Sequence, residues 1–116
     1  MNSKKILITL SEAPFGEKFI VENFRTALGV TAGYREHRVD LLFTGDAVFF
    51  VKMQDYDTLI KKFLNSFKLL GSNLYLDMKA LQDRNINSSD VPEPFIVATR
   101  DEILDFYRYS SLNINL

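Results

Sequence analysis

Five ionisable residues stand directly after apolar runs: Glu12 after ILITLS, Asp46 after LLFTG, Asp77 and Lys79 after LYL, and Arg100 after FIVAT. Such runs read as strands, so these charges fall in strand-end loops. Asp46 and Asp77 are a candidate carboxylate pair for acid–base work, with Lys79 and Arg100 as neighbouring cations. Each aspartate also has a plainer reading. Asp46 follows Gly45 and suits a turn. Asp77 precedes a helical segment and suits its N-cap, a role for which Asp is among the preferred residues.

Other chemistries fail on composition. A dinucleotide site needs a glycine-rich first loop, and Ser11-Glu12-Ala13-Pro14-Phe15-Gly16 holds a single glycine. There is no phosphate-cradling P-loop. A receiver-type acidic pair would need a second carboxylate beside Glu12. The chain has no cysteine, which excludes disulfides, thiolate metal sites and every cysteine nucleophile. One histidine, His37, gives no basis for a His-rich metal site and reads as a solvated or capping residue. No metal and no cofactor is expected.

The elements that would position these loops follow from hydrophobic patterning. Residues 6–10 are apolar without alternation, which reads as a strand buried on both faces, as in parallel sheets. Pro14, Phe15 and Gly16 belong to the loop that follows. Phe19, Ile20, Phe24, Ala27 and Leu28 then share a helical face, and Gly29 or Gly33 can end that helix. Residues 39–43 are the second strand, running into Thr44-Gly45-Asp46. The apolar run Ala47-Val48-Phe49-Phe50-Val51 has two readings. It is a short strand or helical turn packed on the core, or a patch that docks on another subunit through Phe49 and Phe50. Asp55 or Asp57 caps a helix whose apolar face is Leu59, Ile60, Phe63, Leu64, Phe67 and Leu70, stopped by Gly71. Residues 74–76 are the third strand, 78–84 a short helix and 95–98 the fourth strand. Thr99 and Glu102 form a capping box, and Ile103, Leu104 and Tyr107 face inward behind it. Residues 112–116 alternate as an edge strand.

This order predicts one α/β domain over 1–116, with a five-stranded, mainly parallel sheet and helices as crossovers. The strand C-termini then share one edge. Glu12, Pro14, Phe15, Gly16, Gly45, Asp46, Asp77, Lys79 and Arg100 would line a pocket there. With 116 residues, 14 basic and 15 acidic, the chain shows no basic patch for nucleic acid. No apolar run is long enough to span a membrane. No signal peptide precedes the first strand, so the cytoplasm is the expected location.

At these same loops the chain resembles the DsrE/DsrF-like family of sulfur-relay proteins, and within it the DsrF/TusC branch. The resemblance rests on ILITLSEAPFG (6–16), LLFTGDAV (41–48) and LYLDMKALQDRNI (74–86), in that order and spacing. It implies a three-layer α/β/α sandwich on a five-stranded parallel sheet, and assembly into homo- or hetero-oligomers built from trimers or hexamers. Some members carry persulfide sulfur on a cysteine after the third strand, and that position aligns with Asp77. The implied function is a non-catalytic subunit that carries no persulfide itself, as a homo-oligomer or beside a cysteine-bearing DsrE-type paralogue. The alternative is a small-molecule-binding module or acid–base enzyme using the strand-end loops.

Overall fold

The computed structural model describes residues 4–11, 17–33, 37–52 and 58–116. The elements in chain order are β1 (Lys5–Leu10), α1 (Glu17–Gly33), β2 (Arg38–Phe43), a 3-10 segment (Gly45–Lys52), α2 (Thr58–Leu69), β3 (Leu74–Asp77), α3 (Met78–Asp83), a 3-10 turn (Ser88–Asp90), β4 (Phe95–Ala98), α4 (Arg100–Tyr109) and β5 (Leu112–Asn115). The strands form one sheet in the order β4-β3-β2-β1-β5, and every pair is parallel.

That order dictates which face each helix takes. From β1 to β4 the chain steps steadily in one direction, so right-handed crossovers lay α1, α2 and α3 on the same face. The return from β4 to β5 runs the other way and puts α4 on the opposite face. The two buried clusters agree. Ile6, Ile8, Leu10, Leu41, Phe43, Leu74 and Leu76 pack with Ala27 of α1, Leu64 and Phe67 of α2, and Ala80 and Leu81 of α3. Leu7, Leu42 and Ala98 pack with Ile103, Phe106 and Tyr107 of α4. β1 is therefore buried on both sides, as its unalternating run predicts. Its buried polar side chain, Thr9, is satisfied by the Tyr107 hydroxyl at 2.9 Å.

Helix ends follow the sequence. At α2, Gly71 takes φ +84°. Its N–H donates to Lys68 and that of Ser72 to Phe67, the paired bonds of a Schellman stop. Asn85 (φ +55°) ends α3 the same way, with Ile86 N–H on Leu81. At α4, Thr99 and Glu102 make both bonds of the capping box.

Residues 45–52 form a 3-10 segment laid on the core, in line with the helical turn that is one reading of this apolar run. Phe50 is 2 % exposed within the single chain, its ring edge-on to Phe43 at 5.4 Å; Phe49 packs half-buried on the same cluster. Burying a Phe ring is worth about 1.5–3 kcal/mol, and the chain's own core takes up that gain. Phe50 is thus not a free surface for a subunit contact. Leu104, expected to face inward, is 58 % exposed, because Ile103, Phe106 and Tyr107 already fill the stripe over β1. His37 is an acceptor through Nδ1 for the Lys4 N–H at 3.0 Å.

Candidate functional site

Asp77 is the last residue of β3 and the N-cap of α3, with extended backbone (φ −70°, ψ 112°). Parallel register places it beside Ala98, one residue before Thr99 and two before Arg100. The end of β2 brings Thr44 to the same point. Asp77 Oδ1 accepts from the Lys79 N–H at 3.0 Å and the Ala80 N–H at 3.4 Å. Oδ2 accepts the Thr44 hydroxyl at 2.7 Å and lies 3.2 Å from Arg100 Nη2. The residue is 1 % exposed, whereas the Arg100 side chain is 62 % exposed. A buried carboxylate needs such a set of donors to remain stable away from water. With both oxygens engaged, Asp77 ties the end of β3 to Thr44, Arg100 and the first turn of α3.

Gly45 shapes the same edge. Its φ is +53°, a region that L side chains rarely adopt, and an added Cβ would meet the Ser11 carbonyl oxygen at 3.3 Å. The β1 and β2 loops approach each other closely through this glycine.

The remaining charges turn elsewhere. Asp46 is held by Arg84, whose Nε and Nη2 donate to Oδ1 at 3.0 and 2.8 Å. The same guanidinium donates to the Ala80 carbonyl through Nη1 at 3.1 Å. Asp46 and Asp77 thus keep separate partners and do not form a shared acid–base pair. Lys79 pairs with Asp83 one turn along α3 at 2.6 Å. That hydrogen bond, more than the surrounding positive charge, holds the Asp83 carboxyl below its usual range. Glu12, Pro14, Phe15 and Gly16 lie outside the described residues. Of the residues expected at this edge, Asp77 and Arg100 touch, Gly45 lies against Ser11, and the side chains of Asp46 and Lys79 pair elsewhere.

Sequence reasoning missed Thr44 and Arg84. Thr44 carries a usable signal, since it directly follows β2 in a predicted parallel sheet and must stand beside the end of β3. Arg84 gives none, because its partner is 38 residues away. Among the described residues no cluster of His, Asp or Glu suits a metal ion, and no helix is long and apolar enough to cross a membrane.

The family model for the DsrE/DsrF-like proteins matches residues 4–114. The chain belongs to the DsrE/DsrF-like family. This family is involved in sulfur relay in general. No curated protein sequence matches the chain. Solved structures share its fold, these two among them. The ychN protein from E. coli superposes with a TM-score of 0.81 at 16 % identity, over 97 % of this chain and 99 % of that one. The protein of unknown function MTH1491 from Methanobacterium thermoautotrophicum gives 0.75 at 11 % identity, over 98 % of this chain and 100 % of that one. At such identities the likeness concerns fold: the five-stranded parallel α/β architecture of this DsrE/DsrF-like chain is theirs as well.

Proposed function

We propose that this chain is a non-catalytic subunit of a DsrE/DsrF-like sulfur-relay assembly, of the DsrF/TusC type. It supplies fold and surface while sulfur travels on a cysteine of a DsrE-type partner. The observation that carries this reading is Asp77. It stands where the resemblance aligns the sulfur-carrying cysteine, and its carboxylate is committed to Thr44, Arg100 and the α3 backbone. A carboxylate cannot accept a sulfane sulfur as a thiolate does, and the chain holds no thiol elsewhere. The position retains negative charge and helix-capping geometry without the nucleophile. Family membership supports an assembled state, either a homo-oligomer (trimer or hexamer) or a complex with a cysteine-bearing paralogue, in the cytoplasm. The alternative acid–base enzyme draws no support from the geometry, because Asp46 and Asp77 are separately paired.

The test is sulfur loading from a persulfide donor, read by intact mass. The chain alone should gain no sulfur. Mixed with a cysteine-bearing DsrE-type protein, it should co-elute with it and raise the rate at which that protein is loaded or unloaded. A chain that leaves every such protein's loading rate unchanged, and co-elutes with none, would overturn the reading.

A further inference from the structure

The face of the sheet under α4 carries one residue that core packing does not account for. Along β2, Asp40 shares that face with Leu42, which packs with Leu7, Ala98 and Ile103. A carboxylate on a central strand is out of keeping with such an apolar layer, and removing a charge from water is costly without partners. The Asp40 side chain is 18 % exposed. Its Oδ1 accepts the Asn73 N–H at 2.9 Å. Among the described residues its Oδ2 meets only Arg38 Nε, at 3.3 Å, on a half-exposed side chain. A carboxylate oxygen has two lone pairs, so Oδ2 is open to a further donor.

Asp40 lines a groove of about 300 Å³ between α4 and the strand starts, a volume within the range of small-molecule sites. The chain brings the end of α4 back to this point, where the Ser111 N–H donates to the Lys5 carbonyl at 2.8 Å. The groove is graded along the strands. At its inner end Tyr75 and Phe106 stack with ring centroids 4.3 Å apart. In the middle, Asp40 lies beside its register partner Leu7, with Asp105 facing from α4. At the outer end stand Lys5 and Arg38, the register pair one row earlier, about 6.6 Å along the strands. These charges are loosely held. Asp105 reaches Arg108 at 3.7 Å with both side chains exposed, a contact worth little. Lys5 has no ion pair among the described residues.

The grading selects the ligand. A simple anion would meet two carboxylates, and a simple cation would meet Lys5 and Arg38. A neutral hydrocarbon would strip water from Asp40 without replacing its donor. An end of a peptide chain carries just one of the two charges. A free α-amino acid carries both, side by side, with its side chain pointing away from them. We propose that this groove is a binding site for a free α-amino acid with an aromatic or large apolar side chain. The ammonium group is held between Asp40 and Asp105, the carboxylate by Lys5 and Arg38, and the side chain packs on Leu7, Tyr75 and Phe106. The site lies at the opposite end of the strands from Asp77 and is independent of the relay reading.

Calorimetric titration of the full chain with L-phenylalanine is the test, with ring resonances of Tyr75 and Phe106 followed by NMR to locate the ligand. Binding should saturate at millimolar ligand or below and shift both rings. N-acetylphenylalanine lacks the ammonium charge and phenylalanine amide lacks the carboxylate; each should bind about tenfold more weakly or worse, the loss of one charge-assisted contact. L-alanine, without a ring, should not saturate. Asp40→Asn keeps an acceptor for the Asn73 N–H and should weaken phenylalanine about tenfold. Lys5→Gln, on an exposed side chain, keeps the test valid should Asp40→Asn fail to fold. It should weaken phenylalanine but leave phenylalanine amide unchanged. The proposal is overturned if neither phenylalanine, tyrosine nor tryptophan saturates. It is also overturned if the acetylated and amidated analogues bind as well as the parent amino acid, or if the shifted resonances lie away from the groove.

Discussion

Replacing Asp77 tests whether this carboxylate ties the strand-end edge together. In Asp77→Ala the N–H groups of Lys79 and Ala80 lose their cap, a loss of about 1 kcal/mol. The Thr44 hydroxyl loses a charged acceptor at 2.7 Å in a part-buried setting, which adds roughly 1–2 kcal/mol. Arg100 is mostly exposed and can turn to water, so its share stays below about 1 kcal/mol. The expected loss is about 2–4 kcal/mol. At roughly 4 °C per kcal/mol for a chain of this size, Tm should fall by about 8–16 °C. Asp77→Asn should behave differently. Its carbonyl oxygen can still cap α3, while its amide lies toward Thr44 and Arg100 and removes only the charged half of the site. That variant should lose about 1–2 kcal/mol, and Arg100→Gln about 1 kcal/mol or less. The assay is urea unfolding, comparing midpoints at constant m. The reasoning fails if Asp77→Ala stays within about 0.5 kcal/mol of the parent, since a buried carboxylate with these donors cannot be removed so cheaply. It also fails if Asn is as damaging as Ala, because the cap would then contribute nothing separable.

Phe50→Ala should cost about 3–5 kcal/mol of folding stability, seen as a lower urea midpoint independent of protein concentration, because the ring packs on Phe43 in the chain's own core. A subunit-contact role would instead make the loss depend on concentration. Gly45→Ala should destabilise by about 1–2 kcal/mol through its positive φ and the nearby Ser11 carbonyl; a thermal melt unchanged from the parent would contradict this. Tyr107→Phe should cost about 1–2 kcal/mol in the same melts, since it leaves the buried Thr9 hydroxyl without its partner. A thiol introduced as Asp77→Cys should titrate below that of Ser66→Cys, because Arg100 and the α3 N–H groups favour the thiolate. It should also be alkylated slowly by bulky reagents, because the position is 1 % exposed; ultraviolet thiolate absorbance against pH and alkylation rate check the two halves separately.

What could be read from the chain divides by the range of the interactions involved. The sheet was legible because its strands are local apolar runs between helical patterns, and handedness then fixes the parallel order. The capping box at Thr99 and the cap at Asp77 were legible because their partners lie within three residues. The segment 45–52 was not. Its apolar run has no period that separates strand from helix, and Phe43, which receives Phe50, decides between them through tertiary contact. Leu104 was misplaced because it adjoins Ile103, and a ten-residue helix over one central strand has room for only a narrow buried stripe.

The strand-end site shows the same division within a few ångströms. Topology brings the backbones of 44–46, 77–79 and 99–100 toward one edge, and sequence order suffices to predict that. It does not predict where charged side chains end up, because each takes the most accessible counter-charge. Lys79 finds Asp83 one turn away, and Asp46 finds Arg84, leaving Arg100 and Thr44 for Asp77. Among the described residues, the edge that sequence alone presents as a cluster of candidate carboxylates is therefore three closed pairs. On the proposed relay reading, that closure is what separates this chain from a relative with a free nucleophile at the same point. A thiolate serving as sulfur acceptor must be open to its donor, whereas Asp77 is covered and fully partnered. Any contribution of this chain to sulfur transfer then has to pass through its surfaces. The groove beside α4, on the opposite side of the sheet from α1, α2 and α3, is one such surface.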